Sequence, residues 1–267
     1  MTSPASFVYV YAITSPRTAS SLAGLAGLEP DAPPRLIAHG GLAAVASDVP
    51  GDVYSEEALR ERLVDLAWVG EKGIAHERVV ETCFLAGPTL PLRFGTIFRD
   101  DASVAELLER SAERLERILA DLTGKVEFGL RVHVDRPRFE AAVAADVAAR
   151  AAPGAEGAGA GRKYLERKKA AATARRSSSE ALAEALAEIY AAHAGAALAA
   201  VRQPVAGEGS LLLKAAFLVP ASERQAFEAA SRHTAEARRP QGIDVVLTGA
   251  WPPYAFVPPL EPRERTS

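Results

Sequence analysis

Nine residues constrain this chain more than any other stretch: Leu90-Pro91-Leu92-Arg93-Phe94-Gly95-Thr96-Ile97-Phe98. They are apolar and rich in β-formers, follow a Gly87-Pro88 breaker, and lie between two long helical patterns. Such a run reads as a central strand that closes one domain before the chain passes to a second. Strand alternation places Leu90, Leu92, Phe94, Thr96 and Phe98 on one face and Arg93 on the other. An unpaired buried charge is too costly, so Arg93 has two outcomes. Its head reaches solvent at a strand edge, or it forms an ion pair between layers. Arg93, Phe94 and Gly95 are accordingly expected to be structural.

Before that run, Phe7 to Ile13 reads as a first strand, with a weak helical turn over Ala19 to Leu28. Arg35 to Ala38 and Leu42 to Ser47 are short strands around the Gly40-Gly41 turn pair. A long helix follows from Ser55 to about Thr82, and Leu59, Leu63, Leu66, Gly70 and Ile74 form its apolar stripe. The order is that of a split β-α-β-β-α-β sheet, an antiparallel ferredoxin-like plan with helices on one face. Ser103-Val104-Ala105-Glu106 is a capping box opening a further amphipathic helix that Gly124 ends. That helix is expected to join two domains, residues 1–123 and 124–267.

The second half repeats the order. A strand over Lys125 to Asp135 precedes an alanine-rich helix from Arg138 to Arg150. A glycine-rich tract, residues 153–161, leads into a helix to about Val201. Strands at Gln203 to Ala206 and Leu211 to Val219, a helix at Ala221 to Arg238 and a strand at Ile243 to Thr248 complete it. The predicted class is α+β, with two domains of this ferredoxin-like variant.

Net charge is −3, which argues against wholesale nucleic-acid binding. Cys83 is the single cysteine, so no intramolecular disulfide forms, which fits a reducing compartment. Met1 to Phe7 has no basic start and no hydrophobic run, and no uncharged apolar stretch is long enough to span a membrane. The expectation is a soluble, cytoplasmic protein. The five histidines show no metal spacing, and the glycine-rich tract lacks the strand before it and the Lys-Ser/Thr after it that a phosphate loop needs. No catalytic, cofactor or metal site is predicted.

Two features point outward. Residues 162–176 hold Arg162, Lys163, Arg167, Lys168, Lys169, Arg175 and Arg176 against Glu166 alone. This is a solvated helix start, or a docking surface for an acidic partner. RNA is a further option, though only Tyr164 is at hand for stacking. The tail Thr248-Gly249-Ala250-Trp251-Pro252-Pro253-Tyr254-Ala255-Phe256-Val257 brings three aromatics together. They pack back on their own protein, or Trp251, Tyr254 and Phe256 dock on another chain.

Taken with Val8 to Ile13, Leu90 to Phe98, Glu127 to Val132 and Gly161 to Lys169, this tail resembles the gas vesicle protein F/L family (GvpF/GvpL) over nearly the whole chain. Ala250 stands where the family often has proline. The resemblance implies two α+β domains, the second a ferredoxin-like variant, and no catalytic activity. It implies an assembly factor, a minor, chaperone-like component of gas vesicle formation that binds the hydrophobic shell protein and limits its aggregation. Other accessory gas vesicle proteins are the remaining implied partners. The alternative kept beside it is a ferredoxin-like nucleic-acid-binding protein using Arg162 to Arg176.

Overall fold

The computed structural model describes residues 6–150, 160–205 and 209–258, with the side chains of 147–150 and 160–176 left aside. In chain order the elements are β1 (Ser6–Thr14), β2 (Arg35–His39), β3 (Leu42–Pro50), α1 (Gly51–Tyr54), α2 (Glu56–Arg62), α3 (Leu66–Ala86), β4 (Thr89–Pro91), β5 (Ile97–Phe98), α4 (Asp101–Arg110), α5 (Ala112–Leu122), β6 (Lys125–Val134), α6 (Arg136–Arg150), α7 (Ala160–Gly195), β7 (Ala199–Arg202), β8 (Leu211–Pro220), α8 (Arg224–Arg238) and β9 (Ile243–Trp251). By contacts the chain divides into two compact units. One is Met1–Val126 with Trp251–Ser267, the other Glu127–Ala250. The aromatic tail, expected with the C-terminal half, thus groups with the first unit.

The first sheet has the order β2-β3-β1-β4, with β5 also on β1, and its pairs are antiparallel. The central strand is therefore β1, and the Leu90 to Phe98 run lies at an edge in two pieces. Pro91 ends β4, and a turn from Arg93 to Thr96 with Gly95 at φ +85° separates it from β5. Proline cannot donate to a ladder, and a positive φ needs glycine, so the run cannot stay one strand. The alternation breaks with it. Leu90 and Leu92 belong to one face of the sheet, Phe94 to the other.

From Val8 to Thr14, β1 is buried without a gap. A strand that is apolar on both faces needs cover on both. A bulge at Tyr11 lets Tyr11 and the following Ala12 share a face. One face packs Val8, Val10 and Ile13 with Val104, Leu108, Leu115 and Leu119 of α4 and α5. The other packs Tyr9, Tyr11 and Ala12 with Tyr54 of α1 and Val79, Val80 and Cys83 of α3. Helices on one face alone, as the sequence suggested, do not describe this sheet. The segment expected to be a connecting helix is instead two helices, broken at Ser111 and laid on the sheet. Its start is earlier than the Ser103 capping box: Asp100 is the N-cap, and its carboxylate accepts from the Ser103 backbone N–H at 2.8 Å.

The second sheet has the order β7-β8-β6-β9. Within each unit the strands therefore run second, third, first, fourth. In β6, Phe128, Leu130, Val132 and Val134 are buried, while Gly129, Arg131 and His133 are more open. Phe227 of α8 stacks on Phe128 at 5.1 Å and lies 5.8 Å from Phe217 of β8. Helix α7 stops at Gly195, so the strand expected at Gln203 to Ala206 forms earlier, as β7.

If α4 seals one face of the first sheet, Leu108→Ala costs about 2–5 kcal/mol. A free connecting helix would lose almost nothing. Both tryptophans, Trp68 and Trp251, lie in the first unit, so urea unfolding followed by tryptophan fluorescence decides between these outcomes.

Candidate interaction surface

The single helix expected from Ser55 to about Thr82 is two, α2 and α3, and its stripe divides: Leu59 of α2 packs on the core as expected, and the rest is reversed. Leu63, Leu66, Gly70 and Ile74 face solvent, with Leu66 83% and Ile74 64% exposed. Val64, in the turn before α3, is 80% exposed. The buried side is Lys72, His76, Val79, Val80 and Cys83. Asp65 fixes the start of the helix, its carboxylate accepting from the N–H groups of Ala67 and Trp68 at 3.0 and 3.2 Å. At 100° per residue, Ala67, Gly70 and Ile74 then form one outward row, with Leu66 beside it. Leu63, Val64, Leu66 and Ile74, with Leu85 further along α3, are large aliphatic side chains left in solvent on the first unit, and exposed apolar surface of this kind marks binding sites.

Polar groups hold that rotation from inside. The Lys72 ammonium donates to the Leu28 carbonyl at 2.9 Å and pairs with Glu29 at 3.0 Å. Glu29 also accepts from the Tyr54 hydroxyl at 2.6 Å. His76 lies between two tyrosines, with Nδ1 2.8 Å from Tyr9 Oη and Nε2 3.2 Å from Tyr254 Oη. Tyr9 Oη also accepts from the Gly95 N–H at 3.1 Å, and the imidazole hydrogen-bonds the Leu92 backbone as well. The ring stacks on Tyr11 and meets Phe94 edge-on. Burial pushes the Tyr9 phenol far up and pulls the imidazole down to about 4. Beside it Tyr11 Oη donates to Ser47 Oγ at 3.0 Å, and Gly27 packs so close that a Cβ there would collide with the Ala32 carbonyl and stand 2.6 Å from Ser47 Oγ.

These placements sort the residues named from sequence. The Arg93 side chain is exposed, its head in solvent rather than between layers. Phe94 is in the aromatic cluster, and Gly95 makes the turn whose N–H anchors Tyr9. In the tail, Pro252 and Pro253 are buried, Tyr254 is engaged by His76, and Phe256 is half-buried. Trp251 is 48% exposed. The side chains of Arg162, Lys163, Arg167, Lys168 and Lys169 lie outside the described residues, on the α7 backbone. Sequence reasoning placed Leu63, Leu66 and Ile74 in the core. The signal against that was the second apolar set, Val79, Val80 and Cys83, on the opposite side of the same helix. Cys83 itself is buried and free, its thiol pushed up to about 12 by desolvation. Among the described residues no three His, Cys, Asp or Glu are placed to hold a metal, and no helix is long and apolar enough to cross a membrane.

The family described as gas vesicle synthesis protein GvpL/GvpF matches residues 7–258. Gas vesicle protein L of Streptomyces sp. (strain CB03234) is 35% identical over 254 residues, covering 93% of this chain and 91% of that protein. Gas vesicle protein F of the same strain is 32% identical over 259 residues, covering 93% and 98%. The crystal structure of GvpF from Anabaena sp. PCC7120 superposes with a TM-score of 0.67 at 18% identity, over 95% of this chain and 96% of that one. GvpF from Microcystis aeruginosa gives 0.63 at 17% identity, over 94% and 99%. These two structures share the fold of this chain.

The imidazole titrates near 4 in the fold against an ordinary 6.5. The unfolded chain therefore takes up the extra proton between those values. The His76 contribution is complete above pH 6.5 and is lost as pH falls toward 4, by up to about 3 kcal/mol. Urea midpoints measured from pH 7 down to 4.5 check this. His76→Gln should start less stable and show a shallower acid slope than the parent; equal slopes would mean that the ring is not held neutral.

Proposed function

We propose a role that proceeds from one fact: this chain belongs to the gas vesicle GvpL/GvpF family. It acts in gas vesicle formation as an accessory, minor component, in the cytoplasm and at the vesicle, without covalent catalysis. It binds the hydrophobic shell protein and limits its aggregation before assembly. Two units with the ferredoxin-like strand order form the scaffold, the first departing from the plan by carrying helices on both faces; the shared strand order of the two sheets supports that reading. A protein that lines gas must be very apolar, and before assembly it exposes aggregation-prone segments. Covering such a segment needs a standing apolar surface.

The observation that carries the reading is the solvent-facing row of Leu63, Val64, Leu66 and Ile74. Half-exposed Trp251 adds apolar area on the same unit. Arg162, Lys163, Arg167, Lys168 and Lys169 recruit the shell protein or another accessory protein through charge. Tyr254 and Phe256, half-buried within the first unit, hold the tail rather than reach for the shell.

Co-expression with the shell protein tests this. The double variant Leu66→Asp/Ile74→Asp should drop soluble shell protein and vesicle yield to the level seen without this chain. Both positions are exposed, so circular dichroism and the urea midpoint should stay within about 0.5 kcal/mol of the parent. Unchanged shell solubility with the variant would sink the reading.

A further inference from the structure

We infer that the occupant of the α2–α3 stripe is an amphipathic α-helix with a small-apolar face and basic flanks. This rests on the stripe being a docking surface, and it names the chemistry of what docks. The stripe offers side chains only, because the backbone of a helix is satisfied internally. An extended segment seeking strand-type hydrogen bonds gains nothing there, whereas a second helix needs only packing.

The relief of the surface suits a helix. From Leu66 to Ile74 the row runs about 12 Å along the axis. Gly70 lies between them, and a Cβ built on it meets no atom within 4 Å. The result is a notch bordered by two exposed aliphatic side chains, where a facing helix can approach closely. Leu63 and Val64, exposed in the turn that joins α2 to α3, offer apolar surface next to the start of the row.

Charge selects the flanks. Arg60 is held by Glu56 at 2.5 Å, Arg62 lies 5.8 Å over the Trp68 ring, and Lys72 is buried on Glu29. Among the exposed charged residues from α2 through α3, acids outnumber bases: Glu57, Glu61, Asp65, Glu71, Glu77 and Glu81 stand against Arg62 and Arg78, with Glu56 and Arg60 paired to each other. A helix with lysine or arginine beside its apolar face meets opposite charge on docking. A second copy of this chain laid α3 on α3 would set the same carboxylates against each other, so charge works against self-pairing through this surface.

The test uses the full chain and a labelled synthetic helix with a Leu/Ala face. One version carries lysine flanks, one glutamate flanks, and binding is followed by fluorescence anisotropy at two salt concentrations. The lysine helix should bind at least about tenfold more tightly than the glutamate helix, more weakly at high salt, and lose about tenfold or more on Ile74→Asp. No binding of the lysine helix, equal binding of both versions, or indifference to Ile74→Asp would overturn the inference. So would a concentration-dependent dimer, seen by sedimentation, that Ile74→Asp abolishes. If the lysine helix fails while Leu66→Asp/Ile74→Asp still removes the effect on the shell protein, the surface stands and only the helical, basic occupant falls. If both fail, the docking reading falls with it.

Discussion

A buried ammonium and a buried imidazole, one turn apart on α3, fix the rotation of the helix that carries the outer surface of the first unit. Lys72 has Glu29 and the Leu28 carbonyl; His76 has Tyr9 and Tyr254. Neither group tolerates a partial fit, because an ion or imidazole left half-satisfied inside costs more than the pairing gains. Satisfying them sets which side of α3 faces the sheet. The exposure of Leu66 and Ile74 then follows from helix geometry rather than from any preference of those side chains for water.

The same helix shows why the stripe could not be assigned from sequence. Ile74 and Cys83 are nine residues apart, and at 100° per residue they point in opposite directions. Ile74 and Leu85, both exposed, fall on one side of α3, and Val79, Val80 and Cys83, all buried, fall on the other. Periodicity reports both stripes and cannot rank them. What ranks them is tertiary. Val79, Val80 and Cys83 meet the Tyr9, Tyr11 and Ala12 face of β1, and Lys72 and His76 on that same side find partners in segments far away in the chain. Tyr254 is 178 residues from its His76 partner, and no local pattern announces that distance.

Other parts were legible and were outweighed. In Leu90 to Phe98 the breakers Pro91 and Gly95 were visible, and together they dictate a kinked edge rather than a central strand. In Phe7 to Ile13 the apolar run is nearly continuous, which is the mark of a strand covered on both faces. Weighing that run over the loop order would have placed α4 and α5 on the sheet. By contrast, β6 buries every residue the alternation picks, Val126, Phe128, Leu130, Val132 and Val134, with Glu127 buried in addition. The candidate surface was not legible as a surface, since its members look like ordinary core residues until the rotation of α3 is known.

An apolar row in solvent is a standing liability, and the fold confines it in two ways. The row sits on a helix whose backbone is closed, so it cannot recruit a strand edge to edge, which is the common route to aggregation. Its surroundings are acidic, which repels a second copy while leaving a cationic helix free to approach. The buried polar anchors make the surface rigid as well, because α3 cannot roll to hide Leu66 and Ile74 without stripping Lys72 and His76 of their partners. A surface that cannot hide itself is already in its binding conformation, so docking loses little to reorganisation. That combination is what a protein needs if it must hold a greasy partner without itself becoming part of the aggregate.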